Sequence, residues 1–238
     1  MDVYVGPLTR YTLGDWLTVV QQVGLAQGRQ VQVLRPDVTG PNDPTEVEES
    51  VSTWQRELLE ALGGGTPWSE GPELPYWTDK PDWDGYGGLV LLAAYAERPD
   101  LVPSASRNPL RRGATDHPRE FAESEAFQAA AKAPQRFKTL LLGTQWWLPV
   151  ETGGRAFRAP GPDGETRLMA AVATLLVELR ELSQVVGLTD REECDALRRA
   201  GPPPTSDDVV ASGRYGLAVF LGLASKAYLE RQPLLLDF

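Results

Sequence analysis

The stretch YWTDKPDWDGY, residues 76–86, places four aromatic rings and three aspartates in eleven positions. The carboxylates of Asp79, Asp82 and Asp84 have the chemistry of a hard-cation site, or of acid–base work on a sugar with the rings as a stacking surface. EF-hand spacing fails, because Lys80 stands at the first ligand position and Leu91 at the last. Two other readings fit the same residues. Asp82 or Asp84 can cap a helix over 87–97, with Gly85, Gly87 and Gly88 allowing a tight approach and the rings covering the core edge. Alternatively, the acids steer a basic protein and exposed rings anchor it.

Charge placement favours the last reading over the metal. The chain has 238 residues and a formal charge of −10. Twelve acids lie between Asp37 and Asp84 against two bases, Arg56 and Lys80, which leaves 21 of each sign elsewhere. Four of the seven tryptophans (Trp54, Trp68, Trp77 and Trp83) share that segment. Nucleic acid and anionic membrane bind through basic surface and are disfavoured as partners. A basic feature is the loop SRNPLRRGATDHPR, whose Arg107, Arg111, Arg112 and Arg119 read first as a solvated loop and otherwise suit a phosphate or the acidic segment.

Several chemistries are argued against. His117 is the only histidine, so HExxH and multi-histidine metal sites are absent, and a Ser-His-Asp triad would have to use it beside Asp116, in a pattern that reads as a cap. No GxGxxG, GxxxxGK[ST] or GxSxG motif is present. Cys194 is the single cysteine and is flanked by Glu192, Glu193 and Asp195, which suppress the thiolate. No catalytic residue, cofactor or metal ligand is assigned.

The elements that must carry these residues follow from periodicity. Val3–Val5 and Val31–Leu34 read as strands, with a helix between them capped by Asp15 and stopped by Gly28. Over residues 44–62 Asp43 caps, Pro44 takes the first position and Glu46 completes a capping box. Val47, Val51, Trp54, Leu58 and Leu62 form its apolar stripe, with Glu48, Glu49, Gln55 and Arg56 outward. Residues 66–85 read as an ordered loop, GGLVLLAAYAERP as a buried helix stopped by Pro99, and PREFAESEAFQAAAKAP as one short helix. FKTLLLGTQWWLPV reads as a strand or buried turn in which Trp146 and Trp147 point to opposite faces, one of them away from the core. An amphipathic helix is predicted from about Arg167, then a short charged helix DREECDALRRAG, a central helix at YGLAVFLGLAS and a last strand at PLLLDF.

The expected fold is α+β, a mainly helical single domain over 1–238 with a small sheet and long Pro/Gly-rich loops, or two lobes meeting near 99–117. MDVYVGPLTR reads as neither signal nor transit peptide, and the apolar runs are about half a membrane span. With one cysteine and an arginine-biased basic complement, the expectation is a cytoplasmic bacterial interaction protein, of inhibitor or immunity type, that binds a basic protein. Trp68, Tyr76, Trp77, Asp79, Asp82, Trp83 and Asp84 are its candidate partner-binding residues. The alternative is a carboxylate-dependent hydrolase built on Asp79, Asp82 and Asp84.

Overall fold

The computed structural model describes residues 1–30, 43–103, 116–204 and 208–237. The strand expected at Val31–Leu34, Asp37 of the acidic segment, and Arg107, Arg111 and Arg112 of the basic loop lie outside these residues. The fold is α+β, with a six-stranded mixed sheet and a larger helical part. The chain divides into two compact units, residues 1–80, 144–174 and 223–238 in the first and 81–143 and 175–222 in the second.

The first unit holds the whole sheet: β1 (Asp2–Val5), β2 (Trp77–Asp79), β3 (Trp146–Leu148), β4 (Phe157–Pro160), β5 (Thr166–Ala171) and β6 (Leu234–Asp237), in the order β2-β1-β6-β3-β5-β4. β3 and β5 are parallel, with Trp146 opposite Met169, and the other pairs are antiparallel. β2 emerges from the segment read as a loop, and β5 replaces the first turn of the helix predicted from Arg167. In both cases pairing with a neighbour strand outweighs weak local periodicity.

Before α3 (Pro44–Ala61), residues 14–28 do not form one helix. Gly14 is left-handed (φ 62°) and ends α1 (Leu8–Leu13), so the chain restarts at α2 (Val19–Ala26). The cap of α2 is Thr18, which exchanges bonds with Gln21, and Asp15 instead pairs with Arg10. α3 forms where its sequence predicts, with the Asp43 carboxylate accepting the amides of Thr45 and Glu46 and Pro44 at the first position, but without the reciprocal Glu46 bond of a capping box. Its stripe packs on one sheet face, where Val47, Val51, Trp54 and Leu58 meet Tyr4, Trp146, Leu148, Met169 and Leu235. Gln55, expected outward, is buried because its amide donates to the Trp68 carbonyl at 2.9 Å. Both tryptophans of β3 are buried, since Val3, Val5, Leu234 and Leu236, which flank Trp147 on the other face, are buried too. No ring there turns away from the core.

The second unit is helical. α4 (Asp82–Glu97) is followed by 3-10 turns at Pro99–Leu101 and Pro118–Glu123, then α5 (Glu125–Lys132) and α6 (Lys138–Leu141). Ser124 caps α5 and splits the single helix expected over 118–134. α7 (Val172–Val185), α8 (Arg191–Ala200) and α9 (Val209–Glu230) complete the fold, with the division between units falling inside α7 and α9. Gly85, Gly87 and Gly88 lie within α4, not before it. They let backbones touch: a Cβ at Gly88 would come 2.5 Å from the Gly213 nitrogen, one at Gly216 2.0 Å from the Gly85 carbonyl oxygen, and one at Gly87 1.8 Å from the Pro118 carbonyl oxygen. α4 and α9 therefore cross through facing glycines.

Candidate binding face

The seven residues singled out by sequence fall on both sides of the division after Lys80. Trp68 is buried, lies edge-on to Trp54 at 6.1 Å and donates its indole N–H to Glu70 at 2.7 Å. Tyr76 stacks on Tyr4, carries the Arg10 guanidinium 4.6 Å over its ring, and accepts the Leu17 amide at its hydroxyl. Trp77 in β2 is half-buried beneath the Lys226 ammonium, 4.4 Å from its ring centre. Asp79 accepts the Lys80 amide at 2.8 Å.

In the second unit Asp82 sits in the left-handed region (φ 63°), which aspartate tolerates, and accepts the amide of the next residue, Trp83, at 2.8 Å. Trp83 is 43% exposed. Asp84 is buried in the first turn of α4 and receives a two-pronged guanidinium bond from Arg119, at 2.7 and 2.9 Å. Of the four arginines of that loop, Arg119 thus pairs with the acidic segment. Trp68 and Asp84 are accounted for by internal contacts and present no free surface. Trp83 is the one aromatic residue of the set that is exposed.

The acidic surface itself lies on α3. Glu46, Glu48, Glu49, Glu57 and Glu60 are exposed on its outer side with Arg56 as the only base, and among the described residues none of these carboxylates has an ion-pair partner. Their side of the helix borders an open groove of about 500 Å³ between α3 and the turn joining β4 to β5. Glu46, Glu49 and Glu57 line one wall with Ser50 and Thr53, while Pro160, Gly161, Pro162 and Gly164 form the other. Trp54 lies at the groove floor and is fixed there by an indole bond to the Pro160 carbonyl at 2.7 Å.

That far wall is rigid. Arg167 stacks 4.6 Å over Trp146 and forks onto Asp163, with Glu165 at 2.9 Å. The pairing holds the Asp163 carboxyl below its ordinary pKa, despite the opposing effect of partial burial. A Cβ at Gly161 would lie 2.6 Å from the Arg167 guanidinium and 2.9 Å from the Asp163 carboxylate, so a side chain there would push against this ion pair. The groove therefore has negative charge on one wall, a fixed apolar turn on the other and an indole beneath.

Two of the groups suited to catalysis, His117 and Asp116, are held in structural contacts. The His117 ring accepts the Arg119 amide at 3.2 Å as the cap of a turn, and Asp116 accepts the hydroxyls of Tyr95 and Ser124, each at 2.7 Å. Burial pushes the Cys194 thiol pKa up, reinforced by Glu193 and Asp195. Glu70, which sequence reading passed over, accepts the Thr9 amide and the Trp68 indole and so caps α1 from a distant loop; burial raises its pKa. Tyr4, Tyr11, Trp16 and Tyr76 are in ring contact, with centres 5.2 to 6.0 Å apart. Among the described residues no group of three or more His, Cys, Asp or Glu side chains is arranged to hold a metal ion, and no helix is long and apolar enough to cross a membrane.

The groove was not legible in sequence because its far wall comes from residues 160–164, a hundred positions from α3. The sign and density of charge on α3 were legible. Comparison with protein families, curated proteins and solved structures gives no match.

Proposed function

We propose that the chain is a non-enzymatic interaction protein that binds a basic protein partner through the acidic side of α3 and the groove beside it. The supporting observation is the row of exposed glutamates on α3 without ion-pair partners among the described residues, bordering a groove floored by Trp54. Unpaired surface carboxylates on one helix sum to a local negative field, which raises the encounter rate with a cationic surface and falls with added salt. A concave wall then gives a lysine or arginine chain a place to dock, with carboxylates beside it and an indole under its stem. A partner such as a nuclease or basic toxin fits this chemistry, since an acidic surface substitutes for nucleic acid in such a site. The protein then acts as an inhibitor or immunity-type protein in the bacterial cytoplasm.

Relative to the seven residues chosen from sequence, this places the main contact at Glu46, Glu49, Trp54 and Glu57, with Trp83 as a separate exposed ring. Hydrogen exchange of a complex captured from the native host tests the location. Slowed exchange in 44–61 and 157–166 is the expected footprint. Protection elsewhere, with those segments unchanged, would overturn the assignment.

A further inference from the structure

Glu178 projects from α7 into the second unit's interior and has no ion-pair partner among the described residues. It is 3% exposed. Its carboxylate accepts the Thr139 amide at 2.9 and 3.1 Å, the Thr139 hydroxyl at 2.8 Å and the Leu140 amide at 3.3 Å, all from the first residues of α6. Glu97 at the end of α4 takes the three preceding amides, Gln135, Arg136 and Phe137, on one oxygen at 3.0, 2.6 and 3.0 Å. Five amides of residues 135–140 thus terminate on two acids, one near the surface and one in the core.

Among the described residues the surrounding charges do not neutralise Glu178. Arg136 is engaged by Glu181, Arg214 by Glu193, and Lys132, Lys138 and Arg180 are exposed. Glu97 adds like charge. Burial, opposed by the hydrogen bonds and reinforced by Glu97, raises the Glu178 pKa from 4.5 to about 7. Thr139 can serve either state, its hydroxyl donating to a carboxylate or accepting from a carboxyl.

We propose that Glu178 is a proton-operated latch on residues 135–143: neutral, it stays in the core and holds α6 down; ionised, it favours an open form in which the segment lifts and water reaches the carboxylate. The sign follows from solvation. The open form exposes the acid to water and binds its proton less tightly, so opening becomes more frequent as pH rises from acid toward neutral and levels off above it. Opening also uncovers Phe137, which is fully buried in the closed form.

Amide exchange of the intact protein, corrected for intrinsic chemical exchange, tests this at Thr139 and Leu140 between pH 5 and 8. The expected opening constant rises by up to about tenfold per pH unit to near pH 7, then levels off. In Glu178→Gln, which keeps the shape without the charge, it should be flat. A flat wild-type profile, or the same slope in the variant, overturns the proposal. A carbon-13 carboxyl titration of the wild type needs no variant: a Glu178 midpoint near 7 supports the latch, and one near 4.5 overturns it.

Discussion

Replacing Gly216 by alanine should destabilise the protein even though it improves helix propensity. A Cβ there would lie 2.0 Å from the Gly85 carbonyl oxygen and 2.6 Å from its carbon. Contact between nonbonded atoms begins near 3.5 Å, so α4 and α9 would have to part by roughly 1.5 Å. The obstructing atoms are backbone and cannot rotate away, and separation would also loosen Tyr86 from Phe220, now 6.0 Å apart. Overpacking of this kind costs about 1 to 3 kcal/mol or more, against about 1 kcal/mol gained from propensity. Because the obstructing atoms are backbone, the upper end of that range applies, and we expect a net loss of about 2 kcal/mol, or roughly 4 to 8 °C in Tm for a chain of this size. Gly222→Ala is the internal control. It lies in the same helix, but the new methyl would meet only the Arg198 guanidinium, 2.4 Å away at the end of a flexible chain. It should be neutral or stabilising by up to about 1 kcal/mol. Chemical denaturation of both variants provides the comparison. If Gly216→Ala is as stable as Gly222→Ala, the helices do not touch through their backbones and the described crossing is wrong.

Trp54→Ala should cost about 3 to 5 kcal/mol, because a buried indole and its bond to Pro160 are lost together; a loss below about 1 kcal/mol in urea titration would take α3 off the core. Glu178 sets a pH trend: its folded pKa of about 7 lies above the ordinary 4.5, so its stabilising effect is full below pH 4.5 and is lost as pH rises toward 7. The span is at most about 3 kcal/mol, measurable as a fall in unfolding free energy between pH 5 and 7.5 that Glu178→Gln abolishes. Dialysis against a chelator should leave Tm unchanged, and a drop of several degrees reversed by Ca²⁺ or Mg²⁺ would favour a carboxylate site instead.

What was legible in sequence was mostly local. Asp43, Pro44 and the Val47–Val51–Trp54–Leu58 stripe specify α3 because cap, propensity and periodicity agree there. β2 was hidden because three residues carry too little pattern, and its register depends on β1. Leu168 and Val172 share helical spacing and so read as one helix from Arg167, but the helix starts only at Val172 because β5 pairs with β3, a nonlocal matter. The glycines were misassigned for a similar reason. A glycine near a helix start reads as a turn until its partner is known, yet Gly85–Gly88 and Gly213–Gly216 repeat the same spacing and were a signal for close crossing. Gln55 and Glu178 were also visible, as polar residues on otherwise apolar stripes, where Leu175 and Leu182 bracket Glu178. The charge of the candidate face was readable by counting, but its groove was not, since the opposing turn joins it only through the sheet.

The central claim is that α3 steers a basic partner, and association kinetics test it most directly. The partner is captured from the native host, and its association rate is measured at two ionic strengths with the wild type and with Glu46→Gln/Glu49→Gln/Glu57→Gln. These side chains are exposed, so the variant should fold normally. The account predicts slower association in the variant and in wild type at higher salt, with a weaker salt dependence in the variant and dissociation less affected. An acidic captured partner, or an association rate unchanged by both salt and the three substitutions, would contradict it.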